Sequence, residues 1–385
     1  MINGARQLGQ LRSIARAPAV VPPPVVAPPS AVIPVILRAT AAEAKGAQMR
    51  IGGVRVVDRA IRQLARLRDA RVIVLSDDSI RLPRRMPRNI EQRDVDGDVE
   101  TALAALRAEL GPDTTTVGAN TVWLQAGRLD EGIRVIDPAS CRAAADSVFA
   151  DLRRDSVGIF DRLINRRIST ALTRRLFAKL PVRPAFLTLL AGCLGLYGAL
   201  LVASGTSTDV VMGFAVLEGY VILAGCSTVL ARLRVRQSRL TGWLDTLIGD
   251  AVSIALILAV GRALWGGDGT FLEMQLAAAG AAMTLFYAIV TYRELLRQGA
   301  ADVSKLRWWF CYGQPLLAVR GAGSRSIRAV TMLGRRDMVI GVSLVLAALD
   351  QLPMVLLVLL IVAISRAGAA LVQLFTPGWR IRPPA

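Results

Sequence analysis

PAFLTLLAGCLGLYGALLVA, residues 184–203, contains no charged side chain. At 1.5 Å of rise per residue, an uninterrupted helix over this stretch covers the ~30 Å hydrocarbon core of a bilayer. Working outward, comparable apolar runs occupy Val210–Ala231, Leu244–Leu264, Phe271–Tyr292 and Pro353–Phe375, with a shorter one at Met338–Leu352. Together they predict an α-helical polytopic membrane bundle of about six transmembrane helices. Loop charge sets the orientation. Ser204–Asp209, Trp265–Thr270 and the turn at Asp350–Pro353 carry no Lys or Arg. The alternate loops are basic, with Arg232, Arg234, Arg236 and Arg239 after the second run and Arg293, Arg297, Lys305, Arg307, Arg320, Arg325, Arg328, Arg335 and Arg336 after the fourth. Arg380 and Arg382 end the sequence. By the positive-inside rule this places a multi-pass protein in the cell (inner) membrane with both termini in the cytosol.

The 385 residues are 53% hydrophobic and carry 47 Lys+Arg against 29 Asp+Glu, a formal charge of +18. In a membrane protein such an excess belongs to loops and lipid headgroups, and no motif points to nucleic acid as a partner. Cys141, Cys193, Cys226 and Cys311 lie too far apart in sequence to suggest a disulfide framework or a CxxC metal site. Histidine is absent, which excludes imidazole bases, His-assisted nucleophiles and His-ligated zinc.

Ahead of the apolar runs the pattern changes. Residues 1–30 are basic and Pro-rich, and no fold is assigned to them. Residues 31–150 alternate strand-like and helical stretches. They comprise the run Val32–Leu37, a helix with Val57, Ile61, Leu64 and Leu67 on one face, the strand Val72–Ser76, a helix near Val99–Leu110 and an apolar stretch at Thr121–Leu124. A small, reduced α/β domain with a parallel sheet is expected, on the cytosolic side. Asp94, Asp96, Asp98 and Glu100 look superficially like a calcium loop, but their spacing fits the acidic start of a helix instead. Residues 151–183 interleave Arg162, Arg166, Arg167, Arg174, Arg175 and Lys179 with apolar positions, as a basic amphipathic helix on a membrane surface would. Residues 184–385 form the transmembrane domain.

From Asp155 onward several segments have a common likeness. Asn165-Arg-Arg-Ile-Ser169 precedes Pro181-Val-Arg-Pro184 with Thr188, and Arg335-Arg-Asp337 stands before the fifth run. In this order they resemble the CDP-alcohol phosphatidyltransferase family, particularly its members with a fused nucleotidyltransferase-like domain. Those are bifunctional inositol-1-phosphate cytidylyltransferase and di-myo-inositol-phosphate-phosphate synthase-like proteins of phospholipid biosynthesis. The resemblance implies six spans and two divalent metals held by four aspartates in D-x-x-D-G-x-x-A-R, eight residues, G-x-x-x-D-x-x-x-D. Aligned on Ala231-Arg232 and Asp245, the first two aspartates fall on Ala224 and Ser227, the glycines on Thr228 and Thr241, and the fourth aspartate on Gly249.

Asp250 comes one residue late. On a helix, residues i and i+5 point about 140° apart, so Asp245 and Asp250 cannot share an ion unless a π-bulge intervenes. These two are the candidate catalytic and metal residues, and Arg232, Ser238 and Arg239 the candidate substrate-binding residues. Glu218, an acid inside the second run, is expected to find a hydrogen-bond partner on a neighbouring helix. In the α/β domain, Ile51-Gly-Gly-Val54 and Val56–Ser76 resemble sugar-nucleotide cytidylyltransferases. Ile36–Gly46 lacks the clustered glycines of a phosphate loop, which implies an inactive relic. The expectation is therefore a degenerate, pseudoenzyme-like member, inactive or altered, that binds membrane lipid, a CDP-activated lipid or nucleotide, or a partner, and that could form a homodimer. The alternative is an active phosphotransferase that joins a polar alcohol or inositol phosphate to a CDP-activated lipid with release of CMP. It would require Mg2+ or Mn2+, whereas a degenerate member would need no cofactor. A small transporter is a third possibility, with no inverted repeat to suggest it.

Overall fold

The computed structural model describes residues 33–67, 70–83, 85–95, 97–124, 129, 132–154, 161–236, 239–266, 271–300, 303, 306–311 and 334–376. The basic Pro-rich segment at 1–30, Asp96, Asp155, Lys305, the loop arginines 320, 325 and 328, and the closing arginines 380 and 382 lie outside them.

The apolar runs form helices α6 (Pro184–Ala203), α7 (Ser207–Leu233), α8 (Arg239–Gly266), α9 (Phe271–Gln298), α10 (Arg336–Ala348) and α11 (Leu352–Phe375). Among the described residues, five of these are long and apolar enough to cross a membrane, namely all but α10. The run expected at Met338–Leu352 yields only 13 residues of helix, short of the ~20 needed for a crossing. The chain turns after it, with Asp350 in the left-handed region (φ 56) and Pro353 in the first turn of α11. The bundle core is aliphatic, with Phe214, Leu217, Val252, Leu256, Val260, Val355 and Leu359 buried between helices. Large apolar side chains such as Leu200, Ile289, Ile361 and Phe375 face outward, as a lipid-facing surface requires.

The N-terminal α/β domain has a four-stranded parallel sheet in the order β5-β4-β1-β6. Its strands are β1 (Ile33–Ala39), β4 (Ala70–Ser76), β5 (Ile90–Asp94) and β6 (Thr115–Gly118). Two small hairpins accompany it, β2 (Arg50–Ile51) with β3 (Val54–Arg55), and β7 (Thr121–Val122) with β8 (Ile133–Arg134). Central β1 is an apolar run buried on both faces. Val35 and Leu37 pack under α1 (Ala41–Gln48) and α2 (Val56–Leu64), while Ile36 packs under α3 (Val99–Leu110). The acidic run does start a helix, for the Asp98 carboxylate accepts from the Glu100 and Thr101 N–H groups and caps α3.

Two helices join the domain to the bundle. Helix α4 (Pro138–Arg154) packs Ala144, Val148, Phe149 and Leu152 against Val229, Leu230 and Leu233 of α7. Helix α5 (Arg166–Leu172) is extended by π-helical turns at Asp161–Asn165 and Thr173–Phe177. It runs alongside α7 and parallel to it, since Cys226 Sγ meets the Ser169 carbonyl at 3.5 Å and Arg234 Nη2 donates to the Phe177 carbonyl at 3.1 Å. Its outer face exposes Leu163, Ile164, Ile168, Leu172 and Leu176 among Arg167, Arg174 and Arg175.

The end of α7 has its last carbonyls covered by arginine from two directions. Arg59, Arg62 and Arg66 share one face of α2 and its continuation at i, i+3 and i+7. Arg59 donates to the carbonyl of Leu233, Arg62 to that of Arg234 at 2.9 Å, and Arg66 to that of Val235 at 3.0 Å. Arg234 reaches back and donates to the carbonyls of Gly52, Val182, Phe177 and Leu180. Cations on exposed carbonyls at a helix C-terminus are favoured by the macrodipole as well as by hydrogen bonding. Burial, reinforced by the positive charge of Arg66, pushes the Arg59 guanidinium down to about 10, so it remains charged at neutral pH. Gly52 allows the close fit: it has φ +60, and a Cβ there would lie 2.4 Å from Leu233 Cδ2. The helix ends in a Schellman motif, with Val235 N–H on the Arg232 carbonyl at 3.1 Å and Arg236 N–H on the Ala231 carbonyl at 2.8 Å. Val235 takes the left-handed position (φ 50) where glycine is usual, a strain of about 1–2 kcal/mol.

Hydrogen bonds from charged donors contribute about 1.5–3 kcal/mol each when buried. Arg59→Ala is therefore expected to weaken docking of the α/β domain by about 2 kcal/mol, and Arg62→Ala and Arg66→Ala, which are half-exposed, by less. Hydrogen exchange of α2 and of the last turns of α7 measures this, and unchanged protection in Arg59→Ala would refute the clamp.

Candidate functional site

The candidate acids sit on α8, which is α-helical from end to end with no π-bulge between Thr246 and Gly249. Asp245 and Asp250 accordingly meet different partners. Asp245 pairs with Arg336 of α10 at 3.7 Å, whereas Asp250 accepts a hydrogen bond from Tyr292 of α9 at 2.6 Å. Arg336 is the centre of the arrangement. Its Nη1 donates to the Tyr220 hydroxyl at 2.5 Å, and its guanidinium lies over the Tyr220 ring at 5.0 Å. The same nitrogen rests against Gly249, where an added Cβ would come within 2.3 Å. A side chain at position 249, aspartate included, would meet the guanidinium.

A second arginine approaches from α11. Arg366 donates to the Gly334 carbonyl and lies over the Tyr287 ring at 5.6 Å. With Arg336 it lines a cavity of about 30 Å³ between α8, α9, α10 and α11, otherwise formed by Ser253, Thr284 and aliphatic side chains. That is room for a water or two. Below it, Trp308 stacks on Tyr287 at 5.9 Å. Trp309 donates from its backbone to Gln373 Oε1 and from its indole to the Ala369 carbonyl, at 2.8 and 3.2 Å.

Three other positions of the aligned pattern, Ala224, Ser227 and Thr228, lie in helix contacts. Ala224 is buried in the bundle core. Ser227 Oγ lies 2.7 Å from Thr188 Oγ1 and donates to the Pro184 carbonyl at 2.8 Å, tying α7 to the start of α6. Thr228 donates back to the Ala224 carbonyl of its own helix at 3.2 Å. Arg232 is half-buried in the last turn of α7. Ser238 lies outside the described residues, as does the side chain of Arg239, which opens α8. The geometry thus brings Asp245 and Asp250 to one end of the bundle beside Arg336 and leaves Ala224 and Ser227 in helix contacts. Among the described residues no group of three or more His, Cys, Asp or Glu is arranged to hold a metal. Glu218 was expected to have a partner on a neighbouring helix; Asn165, in the π-helical turn before α5, faces it, but neither carboxylate oxygen completes a hydrogen bond of standard geometry.

In the α/β domain, the first helix N-terminus after β1 is where a phosphate would bind in a working nucleotide site. Here the chain's own acids fill it. Glu43, 4% exposed, accepts from the Thr40 N–H at 3.2 Å and pairs with Arg38 at 2.6 Å, and Asp77 accepts from the Ala41 N–H at 3.0 Å. Desolvation opposes it, but hydrogen bonds from Ser79 and from the Ala41 N–H hold the Asp77 carboxyl below the usual carboxylate range.

No protein-family profile matches this chain, and no curated protein matches it at a significant level.

Sequence reasoning placed Arg336 among loop charges and in the Arg335-Arg-Asp337 segment, without a partner, and passed over Arg366, Tyr220 and Tyr292. Arg366 had a signal, an isolated cation within an otherwise apolar run. The tyrosines had none, since their role depends on which helix faces which.

Arg336→Met should lower stability by about 1–2 kcal/mol, less than a fully buried pair because Asp245 is half exposed. Adding Asp245→Asn should return part of the loss. Thermal unfolding in detergent measures both, and an Arg336→Met protein as stable as the wild type would contradict the network. Asp77→Asn should cost under ~1 kcal/mol at neutral pH. Because the folded-state pKa is lowered, that difference is present above the ordinary carboxylate range and fades as pH falls through the lowered value; a constant difference down to strongly acid pH would contradict it.

Proposed function

We propose that this chain is a membrane protein built on the plan of the CDP-alcohol phosphatidyltransferases, in which the two-metal centre has given way to an internal ion network. It binds a lipid, a nucleotide or a partner protein rather than transferring a phosphoryl group. One observation carries this reading: the guanidinium of Arg336 rests on Gly249, against the place of the fourth aspartate, and pairs with Asp245. A divalent ion would have to displace that cation while gaining at most two carboxylates that face different helices, and Mg2+ needs several oxygens at about 2.0–2.1 Å. The hydroxyl of Ser227 and the methyl of Ala224, committed to helix contacts, support the same conclusion. In the α/β domain, Glu43 and Asp77 at the β1–α1 turn occupy the anion position and argue against nucleotidyl transfer.

On this reading α10 completes a sixth span together with the turn that follows it. The basic loops and the α/β domain face the cytosol and the bundle lies in the inner membrane. The ligand surface is the basic mouth near Arg232 and Arg239, where an anionic headgroup or diphosphate would bind, with lipid on the outer faces.

The purified protein, incubated with Mg2+ or Mn2+, CDP-activated lipids and a panel of polar alcohols including inositol phosphate, is expected to release no CMP above background. Turnover that is lost in Asp245→Ala would replace this proposal with the working phosphotransferase.

A further inference from the structure

On the side of α7 away from Tyr220, three elements in mutual contact each direct one polar side chain into their junction. Glu218 comes from α7, Asp337 from the first turn of α10, and Asn165 from the end of the π-helical turn before α5. Asn165 and Asp337 are the groups that face Glu218. Asn165 is 2% and Asp337 6% exposed. Glu218 Oε1 and Oε2, Asp337 Oδ2 and both amide atoms of Asn165 are buried without a hydrogen-bond partner. Such groups are costly unless something satisfies them.

The imbalance is chemical as well as numerical. The cluster offers carboxylate and amide oxygens in excess and one amide donor, the Asn165 NH2, which is directed at Glu218 without completing a hydrogen bond of standard geometry. Arg335 holds only the other oxygen of Asp337, at 3.1 Å, from a more exposed position. Asp161 pairs with Arg166 at 3.8 Å. A proton would satisfy one oxygen and leave the rest. A metal ion would neutralise both carboxylates and be shared by all the oxygens, and Mg2+ is commonly held by one or two carboxylates with water completing the shell.

We infer that the junction of α7, α10 and the 161–165 turn is a cation site, in which Glu218, Asp337 and Asn165 supply oxygen ligands to one hard divalent ion of the Mg2+ class. The site is separate from Asp245 and Asp250 and does not depend on the function proposed above. Its ion fastens α5 to the bundle: without it, the carboxylates repel each other across the contact between α7 and α10.

The test is a count of bound Mn2+ by electron paramagnetic resonance on the full-length protein in neutral detergent, with the thermal midpoint followed in parallel. Wild type is expected to bind Mn2+ saturably and to melt at a higher temperature with it. Glu218→Gln and Asp337→Asn should each lower the affinity of one ion at least tenfold and abolish its thermal shift, while Asp245→Asn keeps that ion. Asn165→Asp, which adds a carboxylate, should bind it more tightly, so a loss in the first two variants through misfolding is told apart from loss of a ligand. Absence of saturable Mn2+ binding in the wild type, or a Glu218→Gln protein with the wild-type count and affinity, would overturn the inference.

Discussion

The end of α7 is a set of backbone carbonyls without helical partners, placed where two folded units meet. Arginines from both sides satisfy them: Arg59, Arg62 and Arg66 of the α/β domain donate into the helix end, and Arg234 of the helix end donates back to carbonyls before α6 and in the Gly52 turn. The α/β domain, the end of the α5 segment and the apolar face of α4 all meet at this one helix terminus. A guanidinium suits the task because its several donors diverge in a plane and stay charged when buried. Val235 marks the tightness of the closure, since a β-branched residue holds a glycine's conformation there.

The tripeptide Arg335-Arg-Asp337 divides its side chains between two environments on either side of α7. Arg336 goes to Tyr220, Gly249 and Asp245, and Asp337 goes toward Glu218 and Asn165. The first environment is closed: its charges are paired and its hydroxyls bonded. The second is open, with acceptors lacking donors. A protein interior tolerates the first arrangement without a guest but not the second. The Asp245 region and the proposed cation site at Glu218 therefore belong to different places in the fold.

Much of the architecture was legible in the sequence because it depends on local pattern. Uninterrupted apolar length marked α6 to α9 and α11, and alternation with β-branched runs marked β1 and β4. Met338–Leu352 is different in kind, because hydropathy alone does not register that the chain turns at Asp350. The α2 stripe of Val57, Ile61 and Leu64 was visible, but nothing local marked the second stripe of Arg59, Arg62 and Arg66. Its meaning depends on a helix end more than 160 residues later. The misregister of Asp245 and Asp250 followed from helical geometry and stands as continuous α-helix, whereas the occupant of the space beside Gly249 comes from α10 and has no local signature.

The clamp also has a direction in time. The arginines that close α7 belong to a segment the ribosome finishes before α7 is made, so the receiving surface exists when the helix end emerges. The reverse order would leave a hydrophobic helix waiting with bare carbonyls for a domain still unsynthesised.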